Sequence, residues 1–431
     1  MDEQPEPPRR APSVAHGSNR GRLVEVLRHQ GPLPRVELAR STGLSFAAIS
    51  AITSKLMAEE LLCEADTGAA TWPDDTDDED PDRLNGRRRG RPPVLLTLNP
   101  EFGRIIAISL RMNLIETLIA DFSGSGLAQS RLVLSTRALD AGALSDLVIA
   151  QIDAMLGATA TPRHRLLGIG IALQGIVNTD TGRHLWSPAL SITDVDLATP
   201  IRQAFGVEVV MANDAVAVAL ALAASEPALA QGLSATIMVG HGVGMGIVVD
   251  GQARWGAGAS SEIGHVKLAP NGPQCRCGQR GCIEAHLADY ALYRDARTFL
   301  DLPPAVSQQP SEAQMALLRE RALGGDPRLE HLFQQAGRAL AEAVATTISV
   351  LRPHHVILAG PGLQAFDMMR HAYEERLDQA VLPWLLKSTA IYIRPSESAA
   401  IVDGMALRTL RVVDRSHMET AERIPGAAAL V

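Results

Sequence analysis

The sequence predicts an α/β protein preceded by a small helical unit. Two observations carry that prediction. Residues 19–59 hold three short helical patterns separated by Gly31-Pro32 and Thr42-Gly43-Leu44. From about Glu101 onward, apolar strand-like runs alternate with longer helical stripes, the pattern of α/β domains. At 431 residues and 46% hydrophobic content the chain has material for two or three domains and a large core. The formal charge of −8 argues against a generally basic nucleic-acid coat and leaves a local DNA-binding surface open. Lysine occurs only at Lys55, Lys267 and Lys387, so arginine does the cationic work.

Residues 1–18, rich in Pro and charge, read as a disordered tail. They lack an apolar signal-peptide region, and the longest apolar run, Ala215–Ser225, is too short to span a bilayer; the expectation is a cytoplasmic protein without membrane contact. Asn19 is placed to cap a helix over Arg20–Gln30. A second helix covers about Arg35–Ser41, and Ser45 caps a third over Phe46–Glu59, with Ile49, Ile52 and Leu56 inward. Helix, glycine turn, helix is the helix-turn-helix pattern, whose second helix enters the DNA major groove. Leu61–Glu64 and Pro93–Leu98 read as two strands of a wing, giving a winged helix-turn-helix over 19–98. Between them lies a mobile insert, 66–91, acidic over Asp74–Asp80 and basic over Arg87–Arg91.

The second domain, 99–414, opens with a strand pair at Ile105–Leu110 and Leu114–Asp121. Further strands are expected at Leu167–Leu173, Val207–Ala212, Ala235–Val239 and Gly246–Val249. Helices are expected at Leu139–Leu156, Asp214–Ala224, Leu329–Leu351 and Asp367–Val381. Ala390–Arg394 and Ala399–Val412 form a last strand–helix pair, and 415–431 reads as a tail.

Three of the four cysteines fall at Cys275, Cys277 and Cys282, ten residues and more after His265. Thiolates and imidazole are the ligands Zn²⁺ prefers, and a set without carboxylate points to one closed, structural zinc site. Buried or disulfide-linked cysteines are the alternative. Cys63, in an apolar run, reads as a core residue.

The chain resembles the ROK family (repressors, open reading frames and sugar kinases). The segments that carry the resemblance are Leu38–Ser45 with Gly90-Arg91-Pro92-Pro93, Asn213-Asp214, Glu262-Ile263-Gly264-His265, and Cys275-x-Cys277-Gly-x-x-Gly-Cys282-x-Glu284. The resemblance implies an actin-like, hexokinase-like fold of two lobes around a sugar cleft. It implies zinc on His265, Cys275, Cys277 and Cys282, and a hexose among Gly175, Asn213, Asp214, Glu262, His265 and Glu284. In that setting Asp214 occupies the position of a kinase base; as the first residue of an apolar helix it is also well placed as a cap.

Family kinases carry an Asp-x-Gly-Gly-Thr-like phosphate turn where this chain has Ile108–Asn113, without the Asp or a glycine. A second loop, Gly240–Gly246, keeps its glycines but has His241 in place of a hydroxyl, and Pro361 lies where the family meets adenosine. Phosphoryl transfer depends on positioning and neutralising phosphates, so the resemblance is to the repressor branch rather than to an enzyme. The expected function is a sugar-responsive repressor that senses a sugar or sugar phosphate without phosphorylating it. It would act as a homodimer or homotetramer on double-stranded operator DNA. The alternative is an ATP-dependent hexose kinase with an appended DNA-binding module. Candidate phosphate contacts are Arg35, Arg40 and Lys55; base readers are Ser45, Phe46, Ala47 and Ser50; and Arg87, Arg88, Arg89 and Arg91 form a minor-groove arm.

Overall fold

The computed structural model describes residues 18–65, 94–254, 261–305, 309–395 and 399–422. The arginine arm at 87–91 and the acidic insert fall outside these residues. By their contacts the described residues form two compact units, one holding those within 18–103, 121–125 and 414–422, the other those within 104–120 and 126–413.

In the smaller unit, α1 (Asn19–Gln30), α2 (Arg35–Thr42) and α3 (Phe46–Ala58) bury Leu23, Leu27, Leu38, Ile49 and Leu56. The cap of α1 is Ser18, whose hydroxyl accepts from the Gly21 amide, so Asn19 is already helical. Ser45 caps α3 as its sequence position requires. Gly43, in the left-handed region at φ 70°, makes the turn between α2 and α3. The wing pairs β2 (Leu62–Glu64) with β3 (Leu95–Leu98), and β3 also pairs with β1 (Leu33–Pro34). That third strand is two residues long, too short to leave a periodic signal. Cys63 is half-buried in β2.

The larger unit is built on two five-stranded sheets. The first has the order β11–β7–β4–β5–β6, from β4 (Arg104–Arg111), β5 (Leu114–Asp121), β6 (Gly126–Val133), β7 (Leu166–Leu173) and β11 (Glu208–Asn213). Within it β11, β7 and β4 are parallel, and β5 and β6 form an antiparallel hairpin. A small side sheet of β8 (Ile176–Asn178), β9 (Arg183–Trp186) and β10 (Val195–Asp196) follows β7. The second main sheet, β14–β13–β12–β15–β16, holds β12 (Leu233–Val239), β13 (Val243–Val249), β14 (Gln252–Arg254), β15 (His355–Ala359) and β16 (Ala390–Arg394).

Helices cover these sheets. After the three of the smaller unit come α4 (Ala141–Ala158), α5 (Ala198–Phe205), α6 (Asp214–Ser225), α7 (Glu284–Leu287) and α8 (Asp289–Ala296). They are followed by α9 (Glu312–Leu323), α10 (Pro327–Leu351), α11 (Phe366–Ala380), α12 (Pro383–Lys387) and α13 (Ala399–Glu422). Because α13 runs to Glu422, the segment read as a tail from 415 begins as helix. Helix α4 has the length and apolar composition to cross a membrane, but it buries Leu144, Val148, Ile152 and Leu156 along one face in the core of the first sheet.

The glycine run after β12 has a packing use. Gly244 and Gly246 lie within β13, and a Cβ on Gly246 would stand 2.4 Å from the Ala215 carbonyl oxygen of α6. Only glycine lets that helix lie so close to the strand.

A kinase-like cleft and a cysteine–histidine cluster

One cleft of about 880 Å³ opens in the larger unit. Its lining comes from the carboxyl ends of parallel strands: Arg111 ends β4, Gln174 follows β7, Asp214 follows β11, Gly240 follows β12 and Gly360 follows β15. Ligand sites of open α/β sheets form at such ends, because loops there diverge while the strands hold them rigidly.

Every residue named for sugar binding lies on this cleft: Gly175, Asn213, Asp214, Glu262, His265 and Glu284. Their geometry separates supports from exposed groups. Asn213, not Asp214, is the cap of α6; its Oδ1 accepts from the Ala215 amide, and its Nδ2 donates to the Gly175 carbonyl at 2.8 Å. Both ends of that amide are thereby engaged, the oxygen in the cap of α6 and the nitrogen on the Gly175 turn. Gly175 sits at φ 106°, and a Cβ there would stand 2.3 Å from the Trp186 carbonyl oxygen. Asp214 is 4% exposed and accepts from the Ala215 amide at 2.9 Å. Burial raises its carboxyl pKa to about 7, against the opposing pull of that amide and of Arg111. Glu284 is buried, accepting from the Val243 amide on Oε2 and from the Tyr290 hydroxyl on Oε1.

His265 stands between the cleft and the cysteines. Its Nε2 is 3.7 Å from Glu262 Oε2, its Nδ1 is 3.7 Å from Cys275 Sγ, and its ring meets the edge of Trp186. The donor atoms of His265, Cys275, Cys277 and Cys282 all lie within 4.8 Å of one another, and Cys277 and Cys282 are 3.8 Å apart at sulfur. Bonds of about 2.3 Å in a tetrahedron put sulfurs about 3.8 Å apart, so this set fits a tetrahedral metal ion. The four cysteines are all free thiols, which removes the disulfide alternative. Gly281, at φ 70° with the Ala269 carbonyl oxygen 1.5 Å from an added Cβ, closes the loop tightly enough to bring Cys282 back beside Cys277. Lys267 donates from Nζ to Cys282 Sγ at 3.2 Å.

The position of the missing phosphate turn is filled. Met112 and Leu110 are buried, Asn113 makes the β4–β5 turn at φ 62°, and the Arg111 guanidinium pairs with the buried Glu116. A tight hairpin thus occupies the ground where a glycine turn would approach phosphate. Ala189, where a family asparagine is common, is fully buried, and its carbonyl accepts from Thr136.

Sequence reasoning left several cleft residues unassigned. Trp186, Asp289, Gln309 and Arg319 line the cleft. Trp186 and Gln309 leave no positional signal, since Trp186 ends the short strand β9, which exists through its pairing with β8, and Gln309 lies on the segment before α9, whose path depends on tertiary packing. Asp289 and Tyr290 follow the cysteine segment directly, the one cue that was available.

In the smaller unit Phe46 is 57% exposed, and Ser45, Ala47 and Lys55 share its exposure at the outward face of α3, with Ser50 half-buried. Arg40 is exposed and pairs with Glu37. Arg35 turns inward instead, donating from Nε to Thr53 Oγ1 and from Nη2 to Met57 Sδ, so it ties α2 to α3.

A two-sheet α/β unit with its cleft at the strand ends and a Cys/His cluster behind it defines a sugar-kinase-like class of protein, here joined to a helix-turn-helix unit. The chain belongs to the ROK family, whose model matches residues 109–407. It is 24% identical to the xylose repressor of Bacillus spizizenii over 364 residues, covering 84% of this chain and 87% of that protein. Among solved structures, a ROK family transcriptional regulator described as a homolog of E. coli MLC protein matches with a TM-score of 0.74 and 24% identity, over 95% of this chain and 98% of that one. A ROK family glucokinase from Streptomyces griseus in complex with glucose and AMPPNP matches with a TM-score of 0.58 and 21% identity, over 71% of this chain and 99% of that one.

Proposed function

We propose that the chain is a sugar-responsive transcriptional repressor acting in the cytoplasm, which binds a sugar in the cleft without phosphorylating it. The observation that carries this reading is a contrast within one cleft. The polar groups that would meet a sugar, Asp214, Glu262 and His265, stand together, while the phosphate ground is filled by the Arg111–Glu116 pair and buried Met112. Sugar hydroxyls need donors and acceptors in a desolvated pocket, and this set supplies both. Zn²⁺ on His265, Cys275, Cys277 and Cys282 would be structural, fixing the His265 ring so that Nε2 faces Glu262 and the sugar. The helix-turn-helix unit would bind a palindromic operator as a dimer, with recognition helices about 34 Å apart. Ligand binding would change that spacing, and a coupling of about 1–3 kcal/mol suffices for useful induction.

Two assays test this. Incubation with ATP and a hexose panel should give no sugar phosphate; a robust turnover lost in Asp214→Asn would establish the kinase reading instead. A thermal-shift panel of hexoses, amino sugars and their 6-phosphates should reveal the effector, since a bound ligand stabilises by mass action.

For the DNA face, Arg40→Ala and Lys55→Ala should each flatten the slope of log affinity against log salt by about one. Arg35→Ala should leave that slope unchanged and lower the melting temperature, because its guanidinium is held by Thr53 and Met57. Gel shifts across a salt series separate the two outcomes.

A further inference from the structure

We propose that the effector is a disaccharide, with one ring at the Asp214–Trp186 end of the cleft and the second where a kinase would hold its nucleotide. The inference rests on the sugar-binding reading above and names the class of sugar.

The cleft has two ends with the Gly240–Gly244 run between them. Towards one end, a Cβ on Gly244 would touch Ala215 beside Asp214. Towards the other, the Gly240 carbonyl accepts from the Asp289 amide, and Pro361 lies 3.0 Å from where a Gly240 Cβ would be. Gln174 lies at the middle, with its Nε2 3.5 Å from a Cβ on Gly242. The whole cleft, about 880 Å³, is near the top of the range of roughly 300–1,000 Å³ that holds drug-sized ligands. One pyranose ring is a fraction of such a ligand.

The second end is built for hydroxyls rather than phosphate. Gln309 is 6% exposed; its Oε1 accepts from Arg276 at 2.8 Å, while its Nε2 is buried without a partner. Gln174, at the middle between the two ends, is 7% exposed, and its Oε1 is likewise unpartnered. A buried amide group left without a partner is costly, so both call for a ligand that supplies one donor and one acceptor. Asp289, also buried on the cleft, adds a carboxyl acceptor. The cation beside Gln309 is engaged: Arg276 donates to Gln309 and to the His241 carbonyl, and its guanidinium lies 4.0 Å from the Tyr290 ring centroid. Burial, with Arg111 and Arg276 close by, lowers the His241 pKa to about 4, so His241 is neutral. The Val243 amide, a natural phosphate donor in such a run, is taken by Glu284. At the first end Trp186 offers an aromatic surface against which the apolar face of a sugar ring packs.

The test is calorimetric titration of the full chain with glucose, xylose and N-acetylglucosamine, each against disaccharides of the same unit, and with glucose 6-phosphate and AMPPNP. The expected result is at least one disaccharide binding about tenfold or more tighter than its monosaccharide. Gln309→Leu removes the free donor and leaves Arg276 its bond to the His241 carbonyl and its stacking on Tyr290. It should therefore fold, lose about tenfold in disaccharide affinity and leave the monosaccharide unchanged. Equal binding of one and two rings, tightest binding of the phosphate or the nucleotide, or a variant that weakens both sugars alike would each overturn the proposal while leaving a ligand-binding cleft in place. Binding of no sugar at all would remove the underlying reading as well.

Discussion

A Cys277→Ser protein is expected to purify without zinc, to melt far below the parent protein and to lose any response to sugar. Structural zinc sites carry apparent energies on the order of 10 kcal/mol, and a serine hydroxyl does not replace a thiolate at neutral pH. The loss reaches the cleft because His265 and Glu284, which flank the cysteines in the chain, line it. His265 contributes both the ring beside Cys275 and the Nε2 beside Glu262, and Glu284 follows Cys282 directly to bond the Val243 amide. Metal content by mass spectrometry, melting curves and sugar titration check the three parts separately. A metal-free variant with normal sugar binding would break the link between cluster and cleft. Chelation of the parent protein should reproduce the variant, which separates loss of the metal from damage done by the substitution.

The second large effect concerns Asp214. Its pKa is raised to about 7 in the folded protein, chiefly by burial, against about 3.9 for an ordinary aspartate. In that window the folded state holds a proton that the unfolded chain has released. Stability is therefore intact below about pH 4 and is lost as the pH rises through 7. The difference of about three units corresponds to roughly 4 kcal/mol. Asp214→Asn should remove this slope, so the variant should melt higher than the parent at pH 8 and equally at pH 4. It should also weaken sugar binding by about tenfold to a hundredfold, the value of a hydrogen bond to a charged group. Gain of stability with loss of binding is the expected mark of a polar group held in place for its ligand. Comparing melting curves of the two proteins from pH 4 to 8 isolates Asp214 from Asp289, whose burial raises its carboxyl pKa to about 6 and which is common to both. A flat difference curve would show that Asp214 is better solvated than its burial implies.

Helix α3 and its Ser45 cap follow from local rules, because a capping hydroxyl and an i, i+3, i+7 apolar stripe act within one or two turns. The Cys275–Cys282 spacing with two glycines is similarly local, so the cluster can be read directly from the chain. Asp214 was found by resemblance, but its cap belongs to Asn213, a choice made by the Gly175 carbonyl 38 residues away in the chain. Arg35 read as a DNA contact because it is cationic at the start of a helix; Thr53 and Met57, on the next helix, turned it inward. Strand β6, with its exposed alternate residues, and the short strands β8 to β10 exist only through pairing partners, so composition alone did not reveal them.

The helix-turn-helix unit, the alternation of strands and helices, the cysteine–histidine cluster and the absence of a glycine phosphate turn were all legible in the chain. Each is a property of a few neighbouring residues, written in spacing, capping and side-chain type. What fills the phosphate ground and which polar groups stay without a protein partner came from the fold alone. Those properties depend on contacts between residues far apart in the chain, such as Glu284 with Val243 and Arg276 with Gln309. Burial of this kind has no local signature, because the free energy of a polar group depends on what the rest of the fold leaves beside it.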